Sequence, residues 1–151
     1  MAAAREVVRA AALAEARSWL GTPYRHQASR KGVGCDCLGL VRGIWRSLYG
    51  TEPEAAGPYA ADWAEMGRGD PLLEAARRHC IEIPAGSYSP GDLLVFRWRP
   101  HLPAKHLGIL AGGNRFIHAY QGSAVVASAL APQWRSRIAG VFAFPPVSTD
   151  R

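Results

Sequence analysis

The sequence predicts an α+β fold in which helices come first and an antiparallel sheet follows. Apolar residues recur at three- and four-residue steps only in the first half of the chain. The second half breaks into short β-branched and aromatic runs separated by Gly, Pro and Asn turns. Elements grouped in this way, rather than alternating, are the pattern of an α+β domain. The chain has 151 residues, 48% of them hydrophobic and 20% charged, which suits a single domain, residues 1–151, with a real core.

Residues 4–20 read as an alanine-rich amphipathic helix with Val7, Val8, Ala11, Ala14 and Trp19 on its apolar side. Gly21-Thr22-Pro23 stops it, and Tyr24-Arg25-His26-Gln27 leads into a polar loop. The central helix begins at Cys37. Leu40, Val41, Ile44, Trp45 and Leu48 form its stripe, Asp36 stands at the N-cap, and Gly50 stands where helices commonly end. Residues 51–70 show no period and read as an irregular surface excursion holding Tyr59 and Trp63. Asp70-Pro71 then opens a short helix, Leu72 to His79. After the Ser89-Pro90-Gly91-Asp92 turn, about five strands are expected: Leu93–Trp98, His106–Leu110, Phe116–Tyr120, Ala124–Ala129 and Ile138–Phe144.

Cys37 is the chemically suggestive residue of the central helix. As the first helical residue it lies on the core-facing stripe, and a helix N-terminus favours the thiolate. A base brought up by another element would make it a nucleophile, whereas alone it would be one more buried thiol. The Gly112-Gly113-Asn114 hairpin supplies that base. With a three-residue loop, Ala111 faces Arg115, His118 faces Gly108 and His106 faces Tyr120. His106 and His118 are then diagonal neighbours on one face, at most about 7–8 Å apart. A two-residue loop would invert that relationship. One histidine can take the thiol proton while the other fixes its tautomer.

A formal net charge of +6 favours anionic partners, but the positive residues are scattered, with no basic face interleaved with aromatics. No nucleic-acid partner is expected. No apolar run is long enough to span a membrane, so membrane insertion is not expected either. Charge at Arg5 and Glu6 interrupts the first residues too early for a secretory apolar core, so the expectation is synthesis in the cytoplasm. Three cysteines, with Cys35 and Cys37 too close for an ordinary disulfide, argue against a disulfide-framed fold.

Five fragments in order carry a family resemblance: Gly21-Thr22-Pro23-Tyr24, Asp36-Cys37-Leu38-Gly39-Leu40-Val41, Pro90-Gly91-Asp92-Leu93, His106-Leu107-Gly108-Ile109 and Phe116-Ile117-His118-Ala119. From about Arg5 to Pro145 the chain resembles the NlpC/P60 family of papain-like cysteine peptidases, which cut peptidoglycan stem peptides. The resemblance implies N-terminal helices packed on a roughly five-stranded antiparallel sheet. It makes Cys37 the nucleophile, His106 the general base and His118 the residue that orients it. Tyr24 would line the site and help the oxyanion or the substrate amine. Asp36 would bind the free amine of the stem peptide as well as cap the helix, with capping alone as the alternative. No metal or cofactor is implied, and the bond implied is the one between D-glutamate and the diamino acid. The Gly34–Val41 wording most resembles the branch associated with phage tails and gene-transfer agents. That branch implies tail tip or hub partners, carriage in a particle tail, and action in the periplasm or cell wall.

Leu38 departs from the pattern, since most members have serine after the cysteine. An apolar residue there removes a polar contact to a substrate amino terminus and favours intact, cross-linked wall as substrate. Three other readings stay open. A zinc site could draw on Cys35, Cys37, His79, Cys80, His106 and His118, although Cys-x-Cys is short of the usual ligand spacing. The domain could be a catalytically silent component of a tail tip, or it could transfer its acyl group to an acceptor other than water.

Overall fold

Helix α1 (Ala2–Ser18) buries Val8, Ala12, Leu13 and Ala16, with Trp19 just beyond its end. The apolar side is therefore rotated from the one expected, because Val7, Ala11 and Ala14 are exposed. Alanines weigh little in a helical pattern, and the decisive constraint lies outside the helix. Arg9 must reach Asp92, a fully buried carboxylate, with its Nε donating to Oδ1 at 2.9 Å. A computed structural model describes residues 2–54, 69–84 and 86–147. Most of the expected excursion at 51–70, including Tyr59 and Trp63, lies outside the described residues.

A two-stranded ribbon, β1 (Ser29–Arg30) and β2 (Gly34–Cys35), precedes the central helix α2 (Cys37–Tyr49). Both ends of α2 are as the sequence predicts. Asp36 accepts from the Gly39 N–H, and the Gly50 N–H closes on the Arg46 carbonyl. Leu40, Val41, Ile44 and Trp45 are buried, and Gly43 lies against the Trp19 indole where α1 and α2 pack. Helix α3 (Pro71–His79) follows, capped by Asp70 with Pro71 at its first position.

The remaining strands are β3 (Ile81–Ile83), β4 (Leu93–Phe96), β5 (His106–Ala111), β6 (Arg115–Ala119), β7 (Val125–Ala129) and β8 (Ile138–Ala143). A short helix, α4 (Pro132–Arg135), sits between the last two. These form one antiparallel sheet in the order β3-β8-β4-β5-β6-β7. The expected five strands thus become six. The extra strand, β3, has only three residues and is held at the sheet edge by pairing with β8, too short a run to show an alternation.

Alternation divides the sheet's side chains between two cores. Leu93, Val95, Leu107, Ile109 and Ile117 pack with α1 and α2, while Leu94, Phe96, Leu110, Phe116 and Val141 pack on the other face beneath Leu130 and Trp134. Gly91 ties the sheet to α1. Its φ of 97° is left-handed, its N–H reaches the Leu110 carbonyl, and a Cβ there would strike the Arg9 backbone. The Pro90-Gly91-Asp92 turn is therefore a structural clamp beneath the sheet.

Candidate active site

The start of α2 is fixed by the Asp36 carboxylate, which is almost fully buried. One oxygen accepts from Gly39 N–H and the other from Gln27 N–H, both at 2.7 Å, with His26 Nδ1 3.8 Å from the second. An N-cap of this kind contributes about 1 kcal/mol. Here it also clips the 24–28 loop to the helix. Gly39 is required for the same contact, since a Cβ there would overlap the Ala28 carbonyl oxygen. Both Asp36 oxygens are thus engaged within the fold, which accounts for the residue structurally whatever it does for a ligand.

Tyr24 pairs with Cys35 across a parallel bridge, beside the helix start. Burial, and then the negative fields of Cys37, Asp36 and Cys35, push its phenol up to about 12. It is a neutral hydroxyl donor at physiological pH, close to the thiol.

Cys37 is partly exposed and packs against the helix-side core. Its thiol donates to the Lys105 carbonyl at 3.8 Å, and the Leu107, Leu38 and Cys37 N–H groups favour its ionised form. The sulfur therefore meets backbone on both sides of His106. The expectation that the helix start lowers the thiol pKa is overturned. Burial, with Asp36 adding to it, pushes Cys37 up to about 12 because loss of water outweighs those N–H groups. At rest the Cys37 side chain is a neutral thiol.

The hairpin has the expected register. Ile109 pairs with Ile117, Leu110 with Phe116 and Ala111 with Arg115, so the loop is 112–114 and the two histidines share a face. His106 Nε2 and His118 Nδ1 lie 2.8 Å apart. A Cβ on Gly108 would press on the Phe116 ring, which packs against the His118 ring. The bond between the rings occupies His106 Nε2, which leaves Nδ1 as its other proton-exchanging atom. Burial holds both imidazoles well below their usual range, and His118 further disfavours charge on His106. Both are neutral at rest.

Four residues of this neighbourhood escaped the sequence reading. Ser128 Oγ lies 2.8 Å from His118 Nε2, extending the line from His106 through His118 into β7. Trp98 stacks on the His106 ring at 5.5 Å and Trp134 leans against it at 5.6 Å. Arg137 lies over both indoles. The signal for Ser128 was its place in the Ala124–Ala129 run, but the β6–β7 register that puts it opposite Phe116 was needed to use it. Trp134 belongs to a single-turn helix with no periodicity to find.

Leu38 lines a cavity of about 290 Å³ together with Leu107, Trp45, Leu72 and Cys80, on the helix side of the thiol. Cys35 is fully buried in β2, and Cys80 ends α3. Burial raises both thiols to about 12. Among the described residues, no three His, Cys, Asp or Glu side chains are grouped to hold a metal ion. No helix among them is long and apolar enough to cross a membrane.

This arrangement has counterparts among known proteins. The chain is 30% identical over 120 residues to the murein DD-endopeptidase MepS/murein LD-carboxypeptidase of Escherichia coli, covering 79% of this chain and 54% of that protein. It is 29% identical over 132 residues to the gamma-DL-glutamyl hydrolase of Bacillus subtilis, covering 86% of this chain and 28% of that one. The chain thus spans about half the length, or less, of these curated relatives. In solved structures, the NlpC/p60 domain of the peptidoglycan hydrolase SagA superposes with a TM-score of 0.58 at 28% identity, covering 91% of this chain and 97% of that one. An NlpC/P60 family protein from Bacillus cereus, at 21% identity, shares the fold with a TM-score of 0.66 over 91% of this chain and 40% of its own. The sequence pattern of the NlpC/P60 family matches residues 21–142, and with the thiol and histidine pair in place this chain belongs to that family.

Proposed function

We propose that the domain hydrolyses peptidoglycan stem peptides through a thioester on Cys37. The observation that carries this reading is the seating of the Cys37 sulfur against Lys105 and Leu107, the neighbours of His106, whose ring is held in turn by His118. Members of the family are cysteine peptidases acting on peptidoglycan.

His106 Nδ1 takes the thiol proton as the sulfur attacks the peptide carbonyl, so the charge pair forms only during the reaction. The oxyanion is met by N–H groups at the start of α2, including that of Cys37, and by the Tyr24 hydroxyl. His106 then passes the proton to the departing amine, the C–N bond breaks, and a thioester remains. Water adds to the thioester with His106 as base, which frees the acid and restores the thiol. His118 holds His106 in the tautomer and orientation that both half-reactions need.

The bond between D-glutamate and the diamino acid is the finer assignment. It rests on the family resemblance; the Bacillus subtilis relative is named for a glutamyl bond, whereas the Escherichia coli relative is named for DD and LD bonds. Carriage in a phage-like tail, with tail tip or hub proteins as partners, rests on the Gly34–Val41 wording alone. In that reading the protein is made in the cytoplasm and acts in the periplasm or wall. Probing purified tail particles from the source cells with an antibody tests it, and particles free of the protein would remove it.

Incubating purified peptidoglycan with the protein and with a Cys37→Ala variant, then identifying the released fragments by mass spectrometry, tests the activity. New amino termini within the stem peptides are expected from the wild type alone. Wall left intact by a folded wild type would leave the silent structural component as the surviving reading.

A further inference from the structure

The histidine pair is walled on one side by two indoles that carry a cation. Trp98 lies nearly parallel to the His106 ring, with 26° between the planes, and Trp134 contacts His106, His118 and Trp98 within 5.6 Å of each. The Arg137 guanidinium lies over these indoles, 5.4 Å from the Trp98 centroid and 5.8 Å from that of Trp134. Four other half-buried arginines have carboxylates: Arg9 has Asp92, Arg42 and Arg46 share Glu52, and Arg97 has Asp70. Arg137 makes no side-chain hydrogen bond or ion pair with any described residue; only its backbone is engaged, its carbonyl accepting from Arg97 N–H and its own N–H donating to the Trp134 carbonyl. Its planar fork of donors is thus held rigid by stacking while its hydrogen-bonding capacity stays unspent, an arrangement suited to bidentate capture of a carboxylate.

The chemistry places the ligand. His106 must hand its proton to the departing amine, so the amine-side part of the substrate lies over His106 rather than over the Leu38 cavity. The surface bordering His106 there is the Trp98–Trp134 wall. We propose that Arg137, clamped on Trp98 and Trp134, binds a free carboxylate on the substrate residue that supplies the leaving amine, and so selects substrates bearing that charge. The proposal rests on the hydrolase reading above. The indoles serve as the apolar floor and the guanidinium as the polar anchor.

The test uses two synthetic stem peptides that differ only on the amine side of the cut bond, one with a free carboxylate and one with a carboxamide. Wild type, Arg137→Gln and Arg137→Lys are each assayed for kcat and KM, with melting curves to confirm folding. The wild type should prefer the carboxylate form by at least tenfold in kcat/KM. Arg137→Gln should abolish that preference by raising KM for the carboxylate peptide alone, and Arg137→Lys should retain part of it. Equal losses on both peptides would mean that Arg137 only braces the tryptophans, and the proposal would fall. A wild type indifferent to the carboxylate overturns it without reference to any variant. A wild type that cuts neither peptide, nor purified wall, removes the hydrolase reading and this one with it; cutting without discrimination removes only this one.

Discussion

His106 Nε2 and His118 Nδ1 meet at 2.8 Å, and the far nitrogen of His118 lies 2.8 Å from the Ser128 hydroxyl. One proton lies between the rings, and Ser128 can donate to or accept from the outer nitrogen according to which tautomer the pair needs. A neutral His106 whose Nε2 is engaged in this way presents Nδ1 as a lone pair when Nε2 carries the hydrogen. The His118 imidazole then acts as acceptor, a role that a neutral amide oxygen can also fill.

His106→Ala should therefore reduce kcat by a factor on the order of 1,000 or more, since general base catalysis alone is worth about 100- to 10,000-fold and both half-reactions use it. His118→Ala should cost less, on the order of 10- to 100-fold, and His118→Asn should recover part of that. Ser128→Ala should cost only a few-fold. Steady-state kinetics on one stem peptide would order the four variants. Equal and total loss in His106→Ala, His118→Ala and His118→Asn would mean that the two histidines share the base role.

Cys37→Ala should abolish hydrolysis without unfolding the protein, because a small residue replaces a small residue at a capped helix start. Cys80→Ser should keep most activity. Cys35→Ala should as well, at a stability cost of about 1 kcal/mol for trimming a fully buried side chain. Loss of product formation in Cys35→Ala with retention in Cys37→Ala would move the nucleophile into β2.

Burial keeps His106 and His118 neutral in the fold, whereas in the unfolded chain histidines protonate near pH about 6.5. Below that pH the unfolded state binds more protons than the native state, so stability rises with pH through this window. The melting temperature should be at its plateau above about pH 6.5 and fall as the solution is acidified toward the depressed native values. His118→Asn removes one of the two titrating groups and should flatten the slope. An unchanged slope in that variant would assign the acid sensitivity to other residues.

The hairpin was legible because loop length alone fixes its register. Once Gly112-Gly113-Asn114 is taken as the loop, the pairing of Ala111 with Arg115 and the shared face of His106 and His118 follow. The caps of α2 and α3 were legible for a similar reason, as Asp36 and Asp70 act within three residues of themselves. Ser128, Trp134 and Arg137 were not, because each reaches the histidines through contacts that no local pattern encodes. The direction of the Cys37 shift failed for a related cause. A helix start can be read from sequence, but the removal of water from the thiol is a tertiary fact. The buried face of α1 likewise turned on a partner distant in sequence, Asp92.

Arg9→Met should be unusually costly for a substitution on a surface helix. Asp92 is fully buried, and its carboxylate accepts from Arg9 and from the Ser89 N–H. Removing the guanidinium leaves that charge with the Ser89 N–H and little else, at a cost of about 3 kcal/mol. Chemical denaturation should show this loss, while Arg9→Met with Asp92→Asn should recover part of it. A difference between wild type and Arg9→Met below about 1 kcal/mol would mean that water reaches Asp92 and the clamp is unimportant.

Leu38 bears on which substrates enter. It is the second residue of α2, one step past the thiol, and it lines the cavity of about 290 Å³ on the side away from the histidines. In the proposed mechanism that side would receive the acyl portion of the substrate, the part that precedes the cut bond. A serine there could donate to a bound amino terminus, whereas leucine offers only apolar contact. A site built to hydrogen-bond a group rejects ligands lacking it far more sharply than an apolar site rejects an added polar group. Asp36 already accepts from the Gly39 and Gln27 N–H groups, so any contact it makes to a substrate amine is shared with its capping role. The wild type should therefore cut stem peptides still attached to glycan as readily as freed ones. Leu38→Ser should shift the ratio of kcat/KM values toward freed peptides with an exposed amino terminus by about 10-fold, the worth of one well-placed hydrogen bond. Measuring both substrates with both proteins decides it. A wild type that already cuts only freed peptides would show that Tyr24 and Asp36 suffice for the selection and that Leu38 does not set it.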